Sequence, residues 1–431
     1  RPVSRFIHLE YSGGIVLFLS VVVAIIWANS AWSHSYHDLW EAKFAISFAG
    51  HGFDQPLHVW INDGLMAVFF FVIGLELKRE FMAGELSSLK KASLPMMAAV
   101  GGMLLPALIY LAFNQGLPSA HGWGIPMATD IAFALGLLSL AGKHIPTSVK
   151  VFLSALAVAD DLGAVVVIAL FYTSQIAFLP LMIGGILLLL LWLGNVMGIR
   201  SVLFYLVIGL AVWCCFLLSG VHATIAGVLV AFMIPARTKI DEVQYVVNVN
   251  RHIDEFERAI PQNGSLTTTE QHLTIEKIKQ LSQDAETPLQ KIEHTLHPWV
   301  AFIIMPLFAL ANAGMHIGGD FFVSLINPVS MGITFGLVVG KFIGVFLFTW
   351  IMVKLKWADL PERATWSHIM GVALLAGVGF TMSLFISGLA FSDLVMIEHA
   401  KYGILLASLL AGTAGIFVLK RISGKPSEKD S

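Results

Sequence analysis

The chain has 431 residues, of which 57% are hydrophobic and 13% charged, with mean hydropathy +0.80 and a formal net charge of −2. Soluble domains carry roughly 25% charged residues, so this composition excludes a soluble globular protein. The net charge says nothing about partners, while the scatter of basic residues along loops argues against a nucleic-acid binder. Apolar residues run on for about 20 positions rather than alternating in segments of about 10, so the spans are helices and not barrel strands.

Twelve spans are expected in chain order, at 13–32, 59–77, 94–113, 122–142, 149–172, 178–197, 202–218, 221–235, 298–315, 328–353, 367–390 and 400–420. The first run lacks a small-x-small cleavage site with a polar follow-on, so it is expected to remain as span 1. The chain opens on Arg1 rather than Met, which places the expected natural start upstream. Cys214 and Cys215 are adjacent inside an apolar run and cannot staple a fold, so they read as packing residues. In this reading residues 1–431 form a single transmembrane domain.

Loop charges test the count. Arg1, Arg5, Lys78, Arg79, Lys90, Lys91, Lys143, Arg200, the basic residues of 236–297, Lys354, Lys356, Arg363, Lys420, Arg421, Lys425 and Lys429 all fall on one side. The other side carries Lys43 and, at a span edge, Lys401. By the positive-inside rule both termini are cytoplasmic.

Two segments lie outside the spans. In the external loop 33–58, Lys43 to Ser47 fit a strand, Gly50-His51-Gly52 a turn and the residues beyond a return strand; an irregular loop fits the pattern equally well. The cytoplasmic loop 236–297 is the one long hydrophilic insert. Thr267 to Glu270 and Thr287 to Gln290 fit capping boxes, the second with Pro288 at the first helical position. Leu289, Ile292 and Leu296 then line one face of a short helix running into span 9.

Spans 4 and 11 are interrupted. Span 4 reads Gly122-Trp123-Gly124-Ile125-Pro126-Met127-Ala128-Thr129-Asp130, and span 11 contains Gly377-Val378-Gly379-Phe380-Thr381-Met382-Ser383. Broken spans in corresponding positions of two halves point to a secondary-transporter site. By parity the two spans run in opposite directions, as in an inverted-topology repeat. Glycines that merely allow close packing are the plainer alternative for span 11.

Four ionisable residues lie deep in spans: Asp130, Asp160, Asp161 and Lys341. One Asp at a helix centre costs about 2.5–3.5 kcal/mol even on mild insertion scales, so two adjacent ones imply a function. Neighbours on a helix diverge by about 100°, so Asp160 and Asp161 face different surroundings. Lys341, the one deep cation, is expected to pair with an aspartate. Asp130, beside a chain break, would offset positive half-helix N-termini. Carboxylates, the Thr129 hydroxyl and freed carbonyls suit a hard monovalent cation, and no mid-membrane His/Cys cluster calls for zinc or copper. The same carboxylates take protons, so cation and proton compete. Two carboxylates release about two protons per cation bound, which makes exchange electrogenic. Competing readings are a different cation- or proton-coupled transporter and an intramembrane aspartyl protease. The protease needs facing aspartates, one in a Gly-x-Gly-Asp setting that neither Asp130 nor Asp160 has.

These residues resemble the bacterial NhaA-type Na⁺/H⁺ antiporters nearly end to end. The matching stretches include Trp60-Ile61-Asn62-Asp63-Gly64, Gly74-Leu75-Glu76-Leu77-Lys78-Arg79-Glu80, Ala128-Thr129-Asp130-Ile131-Ala132-Phe133, Asp160-Asp161-Leu162-Gly163-Ala164, Ser219-Gly220-Val221-His222, His297-Pro298-Trp299 and Gly379-Phe380-Thr381-Met382-Ser383. The resemblance implies an all-α inner-membrane protein of twelve spans, with spans 4 and 11 unwound and crossing, and an electrogenic antiporter rather than an enzyme. It implies that Asp160 and Asp161 carry Na⁺ or Li⁺ and protons, without a cofactor. Asp130, Thr129 and Lys341 support them, with Lys341 on Asp160 when no cation is bound. Activation at alkaline pH is implied through a cytoplasmic cluster of Glu76, Arg79, Glu80, Glu293, His294 and His297, with His222 also implicated. A homodimer is implied through residues 43–58. The loop from about 240 to 287 is longer than the connection expected of the family.

Overall fold

The structure, a computed structural model, describes residues 12–48, 51–142, 145–173, 176–259, 267–318 and 324–423. The turn residue Gly50 and the basic residues Arg1, Arg5, Lys143, Lys425 and Lys429 lie outside them.

Helix α1 (Ser12–Ala28) gives way at a 113° bend to the short α2 (Ser33–Glu41). An antiparallel hairpin follows, β1 (Lys43–Phe48) on β2 (His51–Pro56), paired from Lys43–Pro56 to Phe48–His51. The hairpin exists, but His51 and Gly52 belong to its second strand and not to the turn, because pairing continues out to His51. Then come α3 (Leu57–Ala83), α4 (Leu89–Asn114), a 3-10 helix Pro118–Met127, α5 (Ile131–Ala141), α6 (Thr147–Phe171), α7 (Phe178–Val196), α8 (Val202–Ser219) and α9 (Ala223–Met233). The insert forms α10 (Glu242–Arg258) and α11 (Thr269–Ala285). The chain re-enters the apolar body as α12 (Pro288–Asn312), α13 (Pro328–Lys354), α14 (Trp366–Leu375), α15 (Phe380–Ala390) and α16 (Leu394–Ser423).

Among the described residues eight helices are long and apolar enough to cross a membrane alone, or up to eleven if each bent pair counts as one span. The eleven-residue α9 is too short to join that count. It is parted from α8 by Gly220, whose φ of +80° is the left-handed conformation that ends a helix and favours glycine. The two expected breaks are present as bends of 44°, between Met127 and Ile131 and between Leu375 and Phe380.

Among the described residues three helices contain π-turns, at Trp60–Leu65, Val300–Ile304 and Gly336–Gly340. Such a turn shifts the helical register and re-aims the next side chain. The third lies directly before Lys341.

Helix α6 is central: 61% of its most apolar window is buried, against 17% for α7, which therefore presents most of its surface to lipid. Small residues bring other helices close. On α4 and α13, a Cβ at Gly344 would stand 2.1 Å from the Gly101 carbonyl oxygen. On α3 and α9, a Cβ at Gly227 would stand 2.4 Å from the Ala67 carbonyl oxygen. Neither crossing tolerates a side chain without moving backbone.

The insert is a helical hairpin. Thr287 caps α12 in a capping box with Gln290, Pro288 following, as its sequence indicates. The other box is Thr268 with Gln271, one residue beyond the expected Thr267–Glu270. The run Thr267 to Thr269 offers several chemically equivalent caps. Lys239–Asp284 at 2.9 Å and Tyr245 Oη–Ser282 Oγ at 3.0 Å fasten the hairpin. A hydrogen bond from His252 holds the Glu255 carboxyl below its usual range, with Lys277 3.7 Å away.

Candidate functional site

Each broken helix leaves backbone groups without helical partners, and the two breaks satisfy one another. The Asp130 N–H donates to the Val378 carbonyl at 2.7 Å. The Ser383 hydroxyl donates to the Ile125 carbonyl at 2.8 Å. Asp130 serves two helix N-termini at once. Its Oδ1 accepts from Phe133 N at 3.0 Å, at the start of α5, and its Oδ2 from Thr381 N at 3.1 Å, at the start of α15, as well as from the Thr381 hydroxyl. A carboxylate there complements the positive ends of both half-helices. Gly379 permits this approach, since a Cβ on it would stand 3.1 Å from the Ala128 carbonyl and 2.3 Å from Ser383 Oγ.

Asp160 and Asp161 project from α6 beside this crossing and are fully buried, with 0% and 1% of their surfaces exposed. Asp160 Oδ2 accepts from Lys341 Nζ and lies 2.8 Å from the Thr129 hydroxyl. That hydroxyl is also 2.9 Å from the Ala376 carbonyl, so its one hydrogen is shared between the two breaks' neighbours. Lys341 has room because α4 carries Gly102, where a Cβ would stand 3.5 Å from Nζ and 2.9 Å from Val345 Cγ2. Asp160 Oδ1 and both oxygens of Asp161 have no hydrogen-bond partner among the described residues. A buried carboxylate without donors persists only as the neutral acid or with a cation upon it. The adjacent aspartates therefore differ in surroundings, one engaged by an ammonium and the other open.

The residues at the far end of α3 form a second group. Arg79 pairs with Glu293 of α12 and lies 3.3 Å from Glu80. Glu80 Oε2 accepts from Glu85 N at 3.0 Å. Glu76 faces the same acidic neighbours; His294 directly follows Glu293 on α12, and His297 lies about one turn beyond Glu293. His222 does not join them. Its ring Nε2 contacts the Tyr172 carbonyl at 2.8 Å, and its charged neighbour is Asp63, at the opposite end of α3. Sixteen residues separate Asp63 from Arg79, about 24 Å of helix. Parity of the spans, rather than motif proximity, was the signal that separates them.

Sequence reading missed Thr381 as a partner of Asp130, although its break was apparent. It also missed the Ala376 carbonyl and Gly102, because every residue has a carbonyl and a glycine does not say which side chain packs against it.

A polytopic helical membrane protein with buried carboxylates and an ammonium at the crossing of two broken helices belongs, by architecture, with secondary ion transporters. The Na+/H+ antiporter 1 family model matches residues 4–419. The chain is 49% identical to the Na(+)/H(+) antiporter NhaA of Oleidesulfovibrio alaskensis, over 99% of this chain and 96% of that protein. It is 49% identical to the Na(+)/H(+) antiporter NhaA of Acidithiobacillus ferrooxidans, over 99% of each. Against the Na(+)/H(+) antiporter NhaA 2 of Syntrophotalea carbinolica it is 47% identical, over 99% of this chain and 97% of the relative. The chain belongs to the Na⁺/H⁺ antiporter 1 family, and these alignments run through the long insert.

Proposed function

We propose that this protein exchanges Na⁺ or Li⁺ for protons across the membrane, electrogenically and by alternating access, with both termini cytoplasmic. The observation that carries the reading is the buried aspartate pair, one member held by Lys341 and the other without a hydrogen bond among the described residues. A cation entering between them recruits oxygens of Asp160 and Asp161 and displaces Lys341 from Asp160. Proton return restores the acid on one carboxylate and the ammonium pair on the other. Binding a cation thus expels the proton of the neutral carboxyl, and the displaced Lys341 ammonium gives up the second, about two per ion. The short extended segments at the breaks serve as hinges, since rocking one half against the other around a midpoint site needs few backbone changes there.

Vesicles holding the purified full chain and a preset ΔpH test this. Added Na⁺ or Li⁺ collapses the gradient, and the apparent KM for Na⁺ rises as pH falls, by up to about tenfold per unit for each competing proton. A gradient indifferent to both ions removes the antiporter reading; a flux indifferent to an imposed membrane potential removes the electrogenic one.

Alkaline activation is assigned to the Glu76, Arg79, Glu80, Glu293, His294 and His297 cluster. Its central pair ties α3, which lies against α6, to α12, which enters the membrane body through a π-turn. The Glu293→Gln variant releases Arg79 and shifts the activity-against-pH profile while leaving maximal exchange within a few-fold. An unmoved profile rejects the assignment.

A further inference from the structure

The carboxylate that the ion site leaves unused is Asp63. It lies in the π-turn Trp60–Leu65, at the hairpin end of α3. An ionisable residue within a span is costly enough to imply a use. Its backbone carbonyl is taken up by Trp213 Nε1 at 3.0 Å, but its carboxylate accepts no hydrogen bond from the described residues. The titratable side chains that face it are His58 and His222, and no lysine or arginine is among them.

This carboxylate borders a cavity of about 280 Å³ lined by Gln55, Trp60, Asp63 and Trp213. The two indoles flank Gly64: a Cβ there would stand 3.9 Å from the Trp213 ring and 4.0 Å from the Trp60 ring. Both rings are held in place. Trp213 is fixed by its bond to the Asp63 carbonyl, and Trp60 by donating to the Phe44 carbonyl of β1 at 3.0 Å and by an edge contact with the Phe44 ring. The walls are therefore preorganised, which lowers the cost of binding.

A bare alkali ion is a poor match, because hard cations want several oxygens and this cavity offers few. A carboxylate and two indole rings lining one cavity match a charged nitrogen on an apolar body, which gains an ion pair and aromatic contact together. We propose that this cavity is a binding site for a small aromatic ammonium ion, separate from the ion-exchange site. Its occupant bridges β2, α3 and α8. Asn62, the chain neighbour of Asp63, is paired through its amide with Asn312 of α12 at 2.9 Å. A bound ammonium ion thus braces that end of the molecule.

Calorimetric titration of the purified full chain with phenethylammonium tests the proposal. Binding is expected in the wild type, at least tenfold weaker in Asp63→Asn and weaker in Trp213→Leu, with thermal melting reporting whether each variant is folded. It is expected unchanged in Asp161→Asn and under saturating Na⁺, and 2-phenylethanol, which lacks the charge, is expected not to compete. Undiminished binding by a folded Asp63→Asn, or competition by Na⁺, overturns the proposal. If Asp63→Asn fails to fold, the Na⁺ and 2-phenylethanol competitions on the wild type decide it.

Discussion

Replacing Asp161 by Asn abolishes exchange in the vesicle assay and leaves the protein as stable as the wild type or more so. The two carboxylates are neighbours on α6, yet only Asp160 is engaged. Neither Asp161 oxygen has a hydrogen-bond partner among the described residues, so amidation breaks no bond there and removes a group that the membrane interior penalises. Asp160→Asn also abolishes exchange, but it strips Lys341 of its carboxylate and lowers thermal stability. Equal loss of transport with opposite effects on melting is the signature expected of this arrangement. Retained exchange in both variants removes the site assignment, and identical melting shifts remove the distinction between the two residues.

The second large effect is expected at Lys341. Lys341→Met leaves Asp160 buried with only the shared Thr129 hydroxyl. Breaking a buried pair by deleting one partner costs about 3–5 kcal/mol, so a marked fall in melting temperature follows. The double variant Lys341→Met/Asp160→Asn recovers much of it, because no unpaired charge remains. Thermal melts of the four species form a double-mutant cycle. Additive effects show that the pair is not coupled, which contradicts the geometry. Gly102→Leu provides a milder counterpart, since it pushes on the lysine stem without altering any charge.

The apolar runs made the transmembrane class legible, because a helix that faces lipid must be apolar throughout. The four deep charges were legible for the same reason: Asp130, Asp160, Asp161 and Lys341 stand near the middle of apolar runs, whereas Asp63, Glu76, Lys150 and His222 lie toward span ends. Glycine and hydroxyl residues exposed the breaks at Met127–Ile131 and Leu375–Phe380. Less was visible in polar segments. The helix α10 repeats its apolar residues at helical spacing yet buries none of them, and the short α2 stands at 113° to the helix before it. The capping threonine moved by one position, since adjacent threonines offer the same chemistry.

By itself the sequence determined that the chain lives in a membrane, that Asp130, Asp160, Asp161 and Lys341 stand within it, and that two spans are interrupted there. These are local properties, written in hydropathy and residue type. Tertiary structure decided the pairings, which residue types leave open and of which the family resemblance implies only Lys341 on Asp160. It set Lys341 on Asp160 across 181 positions, Thr381 on Asp130 across 251, and His222 at the opposite end of α3 from Arg79. The reason is that a helix fixes the spacing of its own side chains but not which neighbour they meet. That choice rests on glycine crossings and π-turns, whose effect depends on what packs against them.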